Sequence, residues 1–95
     1  MTFSIHFSEE AYLDLLDIFG YVAKYDLKTA DDYCDKLEKH ISLLSIFPYI
    51  GKKYNEEERF LVFDRKYLIF YSVNELTKQV EIVTIVHGKK EKLRK

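Results

Sequence analysis

The chain has 95 residues, of which 47% are hydrophobic and 16% aromatic, and this suits one small domain and excludes a second hydrophobic core. A single cysteine, Cys34, excludes an internal disulfide, and the three scattered histidines do not supply the paired ligand spacings of a zinc site. We therefore expect a single domain over residues 1–95, without metal or cofactor, in a reducing compartment.

The charge and the hydropathy of the chain limit the kinds of partner that it can have. No apolar stretch approaches the roughly 20 residues that span a bilayer, and the N-terminal segment MTFSIHFSEE lacks the order of a signal peptide. We expect a cytoplasmic protein with no membrane partner. The net charge is −1, yet residues 87–95 carry five of the 15 Lys and Arg residues and one of the 16 Asp and Glu residues. This basic tail, with Lys89 and Lys90, is either a contact for phosphate or an acidic protein segment, or a solvated terminus.

The first predicted elements are a strand and a helix. Phe3, Ile5 and Phe7 alternate with polar residues, which predicts a strand over residues 2–7 with one buried face. Ser8 is a predicted N-cap, and the two glutamates after it suit the N-terminus of a helix that runs to about residue 25. Its apolar residues recur at spacings of three and four and predict one broad buried stripe: Ala11, Tyr12, Leu15, Leu16, Ile18, Phe19, Val22 and Ala23.

A second helix follows after a short connection. Thr29 with Asp32 three residues later predicts a capping box, and apolar residues keep the helical period to about residue 46. Two helices joined by so short a link are expected to form an antiparallel hairpin. Pro48 and Gly51 then end the helical structure and open a loop.

The rest of the chain predicts three strands, at residues 59–64, 67–73 and 80–87, separated by short polar turns. They indicate an antiparallel meander, so the predicted fold class is α+β, with one twisted sheet and a helical hairpin on it. The last two strands are apolar on both faces over much of their length. Because the hairpin covers one face only, we expect the other face to be an uncovered apolar surface that binds a partner.

The order of these elements, together with several short motifs, resembles the RelE/ParE family of type II toxin–antitoxin toxins. The resemblance covers nearly the whole chain. It rests on FSEEAYLDLLDIFGYVAK, LLSIFPYIGKK, RFLVFDRKYLIFYSV and VEIVTIVHGKKE, and within these segments on Pro48, Gly51, Arg59, Tyr67, Tyr71 and His87.

The resemblance implies a fold, a partner and one of two targets. Members are small α+β domains made with an antitoxin that wraps the toxin, so we expect a hetero-oligomer with a cognate antitoxin and a role in plasmid stabilisation. An antitoxin helix could fill a groove, or an extended segment could add a strand to a free edge of the sheet. RelE-like members cut messenger RNA in the ribosomal A site, whereas ParE-like members inhibit DNA gyrase and are not known for a hydrolytic site.

Two features favour the ParE-like branch. The central strand carries Leu68, Ile69 and Phe70 where nuclease members commonly have an arginine, and residues 1–86 are acidic overall, whereas phosphate contacts supply much of the affinity of ribosome-bound members. We expect a gyrase inhibitor that is not an enzyme. The alternatives are a metal-independent endoribonuclease that acts on the ribosome, and a module that has lost toxicity and keeps only antitoxin binding.

The candidate site residues have a functional and a structural interpretation. A nuclease would use His87, Arg59 and Arg65. Contacts to the target or to phosphate are expected from Arg59, Arg65, Lys66, Tyr67, Tyr71, His87, Lys89 and Lys90. Structurally, His87 ends a strand, Arg59 positions the loop or pairs with a glutamate of residues 56–58, and the two tyrosines pack in the core with hydroxyls that need partners. Cys34 is interpreted as a small buried apolar residue.

Overall fold

A computed structural model describes residues 2–88, and it confirms the α+β class and the predicted order of helices and strands. Each of the three predicted meander strands is present. The elements are β1 (Ser4–Phe7), α1 (Glu9–Ala23), α2 (Leu27–Ser42), a 3-10 turn (Leu43–Ser45), β2 (Lys52–Lys53), β3 (Arg59–Phe63), β4 (Tyr67–Asn74) and β5 (Gln79–His87).

The strands form one open five-stranded sheet in the order β1-β5-β4-β3-β2. The last three strands make the predicted antiparallel meander, in which Arg59 is paired with Tyr71 and Tyr67 with His87. Strand β1 lies parallel to β5, so the first and last strands of the chain are neighbours. Strand β2 was not predicted, because two lysines carry no signal of hydrophobic alternation.

Helix α1 begins as the sequence indicates. The Ser8 side chain accepts a hydrogen bond from the backbone N–H of Ala11, and Glu9 and Glu10 occupy the first turn. The predicted capping box of α2 is wrong. The N-cap is Asp26, whose carboxylate accepts hydrogen bonds from the N–H and the hydroxyl of Thr29 at 2.9 and 2.7 Å. The Asp26 carboxylate accepts hydrogen bonds at the first turn of the helix, about one turn before the position that a cap at Thr29 would define. The helix therefore starts at Leu27.

The hydrophobic core lies between the helical hairpin and one face of the sheet. Leu37, Ile41 and Leu44 pack against the inward side chains of β4 and β5, among which Ile69 and Tyr71 are fully buried. Only part of the broad stripe predicted for α1 belongs to this core. Within that stripe Ala11 and Ile18 are buried, whereas Tyr12 and Leu16 are exposed.

The opposite face of the sheet differs from the expectation. We expected it to be bare and apolar, but Phe70 is fully buried there, with its ring centroid 4.8 Å from that of Tyr54 and 5.7 Å from that of Phe60. Towards β1, this face carries the polar side chains His6, Ser72, Asn74, Gln79 and Glu81. The expectation was wrong at the centre of the sheet because Tyr54, in the turn between β2 and β3, places its ring over Phe70. Over residues 2–88, no helix is both long and apolar enough to cross a membrane.

Candidate functional site

The predicted site residues fall into two groups along β4, one at its start and one in its middle. Tyr67 and Tyr71 lie on the same strand four residues apart, a separation of about 13 Å along the backbone. Arg59 is paired with Tyr71, and His87 is paired with Tyr67. The structure therefore brings Tyr67 and His87 together at the start of β4, and Arg59 and Tyr71 together in the middle of this strand.

Arg59 holds the loop between α2 and β2. Its guanidinium donates hydrogen bonds to the carbonyl oxygens of Gly51 at 2.9 Å and Tyr49 at 3.3 Å, and it lies 5.2 Å from the centroid of the Tyr49 ring. The Tyr49 hydroxyl in turn donates to the Glu75 carboxylate in the turn after β4. The interpretation of Arg59 as a residue that positions the loop is confirmed by these bonds.

Tyr71 completes this contact from the core side. It is fully buried, and its hydroxyl accepts a hydrogen bond from the backbone N–H of Gly51 at 2.9 Å. Burial raises the pKa of Tyr71, although the Gly51 N–H and the Arg59 charge act in the opposite direction. The phenol is therefore neutral at physiological pH, and the expected hydrogen-bond partner of its hydroxyl is present.

Gly51 is required at this point by close packing. A Cβ added to Gly51 would lie 2.6 Å from the Tyr71 hydroxyl and 2.7 Å from the carbonyl oxygen of Phe60. Because both neighbours are fixed in the sheet, no larger residue fits without a shift of the backbone. Gly51, Arg59 and Tyr71, which carry much of the family resemblance, thus form one structural unit, which we call the loop clamp.

A groove of about 430 Å³ lies at the start of β4, between α1 and the last residues of β5. We call it the α1–β5 groove. Its lining is part apolar, part aromatic and part charged: Asp14, Asp17, Ile18, Tyr21, Lys66, Tyr67, Ile85, Val86 and His87. Among the predicted site residues, Lys66, Tyr67 and His87 meet here, and this is the candidate functional site.

Tyr67 and His87 form one wall of the α1–β5 groove. Their rings pack edge to face, with centroids 5.5 Å apart and planes at 78°. Burial is the largest of the effects that raise the pKa of Tyr67, and the neighbouring acidic groups of Tyr21, Asp64 and Cys34 raise it further. A phenol with a raised pKa is a poor base at neutral pH, so Tyr67 offers a hydroxyl and a ring rather than a phenolate.

The turn between β3 and β4 brings cations to the edge of this groove. Asp64 and Arg65 both have φ of 56°, and the Lys66 N–H donates to the Phe63 carbonyl at 3.0 Å, as in a type I′ hairpin turn. The Gly88 N–H donates to the Lys66 carbonyl at 2.7 Å, which holds the end of β5 against this turn. The predicted contacts Lys89 and Lys90 lie outside the described residues.

Asp14 on the opposite wall has a structural role that the sequence did not indicate. Beyond Phe7, β1 no longer pairs with β5, and α1 takes its place along that edge. The Asp14 carboxylate accepts hydrogen bonds from the Thr84 hydroxyl at 2.7 Å and from the Ile85 N–H at 2.9 Å. An acidic residue in an amphipathic helix usually faces solvent, so no local signal distinguished Asp14 from Asp17.

Neither a metal site nor a reactive thiol is evident in the described chain. Within residues 2–88, no group of three or more His, Cys, Asp or Glu residues could hold a metal ion. Cys34 is partly buried, and burial, followed by the charges of Glu38, Asp31 and Asp35, raises the pKa of its thiol. A thiol with a raised pKa is a weak nucleophile. Cys34 was interpreted as a buried apolar residue, and the structure buries it only in part.

The fold defines a class of proteins, and solved structures share it. A chain of the chromosomal ParDE toxin–antitoxin system from P. aeruginosa superposes with a TM-score of 0.75 at 19% identity, over 90% of this chain and 95% of that chain. A chain of the toxin–antitoxin complex RelBE2 from Mycobacterium tuberculosis superposes with a TM-score of 0.63 at 16% identity, over 92% and 99% of the two chains. At such identities the likeness establishes the fold alone.

Sequence comparison identifies the family. Residues 5–91 match the family described as the ParE toxin of the type II toxin–antitoxin system parDE. The chain therefore belongs to the ParE toxin family, and the resemblance drawn from the sequence is confirmed. No curated protein matches the chain.

Proposed function

We propose that this ParE-family toxin inhibits DNA gyrase without covalent chemistry and is neutralised by a cognate antitoxin. The observation that carries the proposal is the use of Arg59. Its guanidinium is bonded to two loop carbonyls, and Arg59 pairs with Tyr71, four residues along β4 from the Tyr67 that pairs with His87. Metal-free RNA cleavage needs a base, an acid and cations around one phosphate. Among the described residues, the loop clamp therefore keeps Arg59 from joining His87 in such an arrangement.

The walls of the α1–β5 groove support the same proposal. Asp14 and Asp17 line one side and Lys66 is the cation among the described lining residues. Two carboxylates facing the groove repel a phosphodiester, since like charges raise the cost of bringing the backbone close. The groove suits contact with a protein surface better than contact with RNA. A gyrase inhibitor of this kind would act in the cytoplasm.

A supercoiling assay tests the gyrase target. The purified protein should block supercoiling of relaxed plasmid by gyrase, and Arg65→Glu with Lys66→Glu should weaken the block because both cations lie at the exposed turn beside the groove. Lys36→Glu on the exposed side of α2 is the matched control and should behave as the unchanged protein. Full supercoiling at saturating protein would refute the gyrase proposal.

The second candidate, a ribosome-dependent mRNA endonuclease, has one observation in its favour. Lys66, Tyr67 and His87 line the same groove, so a cation, a hydroxyl and an imidazole are near one another. Programmed ribosomes incubated with the protein would then yield cuts in the A site, and His87→Ala would suppress them. If the His87→Ala variant inhibits gyrase as strongly as the unchanged protein, and the unchanged protein leaves messenger RNA on programmed ribosomes intact, the first candidate is favoured.

The antitoxin is a separate part of the proposal. The similar structures are described as a ParDE system and as a RelBE2 toxin–antitoxin complex, which supports a protein partner for this chain. Co-expression with the product of an adjacent short gene should yield a stable hetero-oligomer and relieve growth arrest. Tight binding of that product together with harmless overexpression of this chain alone would identify a module that has lost toxicity.

A further inference from the structure

The outer face of α1 is apolar, although a helix face turned to solvent is ordinarily polar. Tyr12, Leu13 and Leu16 expose 53%, 52% and 47% of their surface. With 3.6 residues per turn, these three residues and Gly20 lie along one side of the helix, facing away from the buried Ile18. We call Tyr12, Leu13, Leu16 and Gly20 the α1 strip.

Gly20 has no role in packing among residues 2–88. A Cβ added to it would meet no atom within 4 Å, and its φ is not in the left-handed region. Glycine inside a helix is destabilising relative to alanine, because it loses more backbone freedom on folding. The space above Gly20 is therefore open to a side chain from another molecule, and glycine at this point permits a close approach.

The residues of the α1 strip complement a second copy of themselves. Glu9, Leu13, Leu16, Gly20 and Lys24 follow one another at spacings of three or four residues. If a second α1 packs antiparallel about a two-fold axis that passes between residues 16 and 17, next to Leu16, then Leu13 faces the partner's Gly20 and Glu9 faces the partner's Lys24. A large side chain then meets the open space, and opposite charges meet at both ends of the contact.

We propose that the α1 strip is a two-fold interface between two copies of this chain, formed by antiparallel α1 helices. The helix has 15 residues and so is about 22 Å long. A contact of this length lies at the small end of specific interfaces, and the dimer is accordingly weak and depends on protein concentration. Leu16 is at its centre, where truncation or charge has the largest effect.

Sedimentation velocity over a range of concentrations tests the proposal. The unchanged chain should shift from monomer to dimer as its concentration rises, and Leu16→Lys should weaken dimerisation roughly tenfold or more. Leu76→Lys is the matched control, since Leu76 is an exposed leucine, 96% accessible, in the turn before β5. It should leave the dimer unchanged. Circular dichroism of each variant verifies that the fold is intact.

Two further variants test the geometry. Glu9→Lys should weaken the dimer by placing two lysines opposite one another, and the double variant Glu9→Lys with Lys24→Glu should restore it. Restoration is expected only if the two residues face each other across the axis. Gly20→Ala should raise the melting temperature of the monomer and weaken the dimer, because the added methyl group occupies the space that the partner's Leu13 needs.

Several outcomes would overturn the proposal. The proposal is wrong if the chain stays monomeric at every concentration. It is also wrong if Leu16→Lys leaves the dimer unchanged. A chain that is monomeric alone, and whose Leu16→Lys variant loses binding of a purified antitoxin, would assign the α1 strip to that antitoxin and not to a second copy.

Discussion

The hydroxyl of Tyr71 accepts a hydrogen bond from the backbone N–H of Gly51 at 2.9 Å, and this buried contact joins residues 20 positions apart. Tyr71 belongs to the central strand, and Gly51 to the loop that leaves the helical hairpin. Because Arg59 binds the carbonyl oxygen of the same glycine, both backbone polar groups of Gly51 are satisfied by side chains of the sheet. The loop clamp therefore couples the hairpin and the sheet into one folding unit.

Tyr71→Phe should destabilise the protein by about 1–2 kcal/mol, because it leaves the buried N–H of Gly51 without an acceptor. Urea denaturation followed by circular dichroism measures the loss. Tyr12→Phe is the matched control, since the Tyr12 side chain is half exposed on α1, and it should change the free energy of unfolding very little. Equal losses for the two variants would contradict the role given to the Tyr71 hydroxyl.

Gly51→Ala and Gly20→Ala should have opposite effects. The first places a methyl group 2.6 Å from the Tyr71 hydroxyl and should cost about 2–3 kcal/mol through overpacking. The second points into open space within a helix and should stabilise the monomer by about 0.5–1 kcal/mol. Thermal melts at low protein concentration measure both, so that dimerisation does not contribute. If Gly51→Ala instead raises the melting temperature, the contacts of the loop clamp can rearrange without loss of stability, and the close packing at Gly51 is not required.

Asp14→Ala should destabilise the chain by about 1–3 kcal/mol, because the Ile85 N–H loses its charged acceptor in a partly buried site, while the Thr84 hydroxyl keeps the Glu10 carboxylate at 3.1 Å. The matched control is Asp17→Ala, an exposed carboxylate on the same helix, with a change of about 0.5 kcal/mol or less. Amide hydrogen exchange gives a second measurement, in which the protection of Ile85 should fall in the Asp14 variant alone. If the exchange protection of Ile85 is unchanged in the Asp14 variant, contacts other than Asp14 protect the edge of β5.

Asp26 should contribute to the acid sensitivity of the fold. Its hydrogen bonds with Thr29 lower the pKa of its carboxyl from the ordinary value of 3.8. The unfolded chain therefore binds a proton at this residue more readily than the folded chain. The contribution of Asp26 is present above pH 3.8 and is lost as the pH falls through the folded-state pKa.

Melting temperatures between pH 2 and pH 6 provide the measurement for Asp26. Asp26→Asn keeps a capping oxygen but cannot titrate, so the difference in melting temperature between the unchanged chain and this variant should shrink as the pH falls. Asp31→Asn, at an exposed position of α2, controls for the removal of a negative charge. A difference that stays constant over this range would exclude Asp26 as an acid-sensitive cap.

Much of the fold could be predicted because its signals are local. The alternation of Phe3, Ile5 and Phe7 and the cap at Ser8 each depend on residues within a few positions of one another. The cap of α2 was placed wrongly because Asp26 and Thr29 are both good capping residues, and sequence does not rank two such residues that compete. Strand β2 escaped notice because its lysines are paired only through contact with β3.

The candidate site was less predictable, for a physical reason that Arg59 and His87 illustrate. Each has a side chain suited to phosphate chemistry, and proximity of the two would decide whether that chemistry occurs. Their separation follows from the strand register, which places Arg59 opposite Tyr71 and His87 opposite Tyr67. Register depends on the turns and on the packing of all the strands together, so it is a property of the whole sheet.

The sequence by itself determined the class of fold, the family and the order of the helices and of the strands other than β2, because periodicity and capping act over a few residues. Only the tertiary structure decided that Arg59 fastens a loop, that Asp14 covers the edge of β5 and that Tyr54 shields Phe70. The members of the Asp14 contact are 71 positions apart. Contacts of this kind exist only after the strands have assembled, and their energies depend on burial and distance that no local pattern specifies.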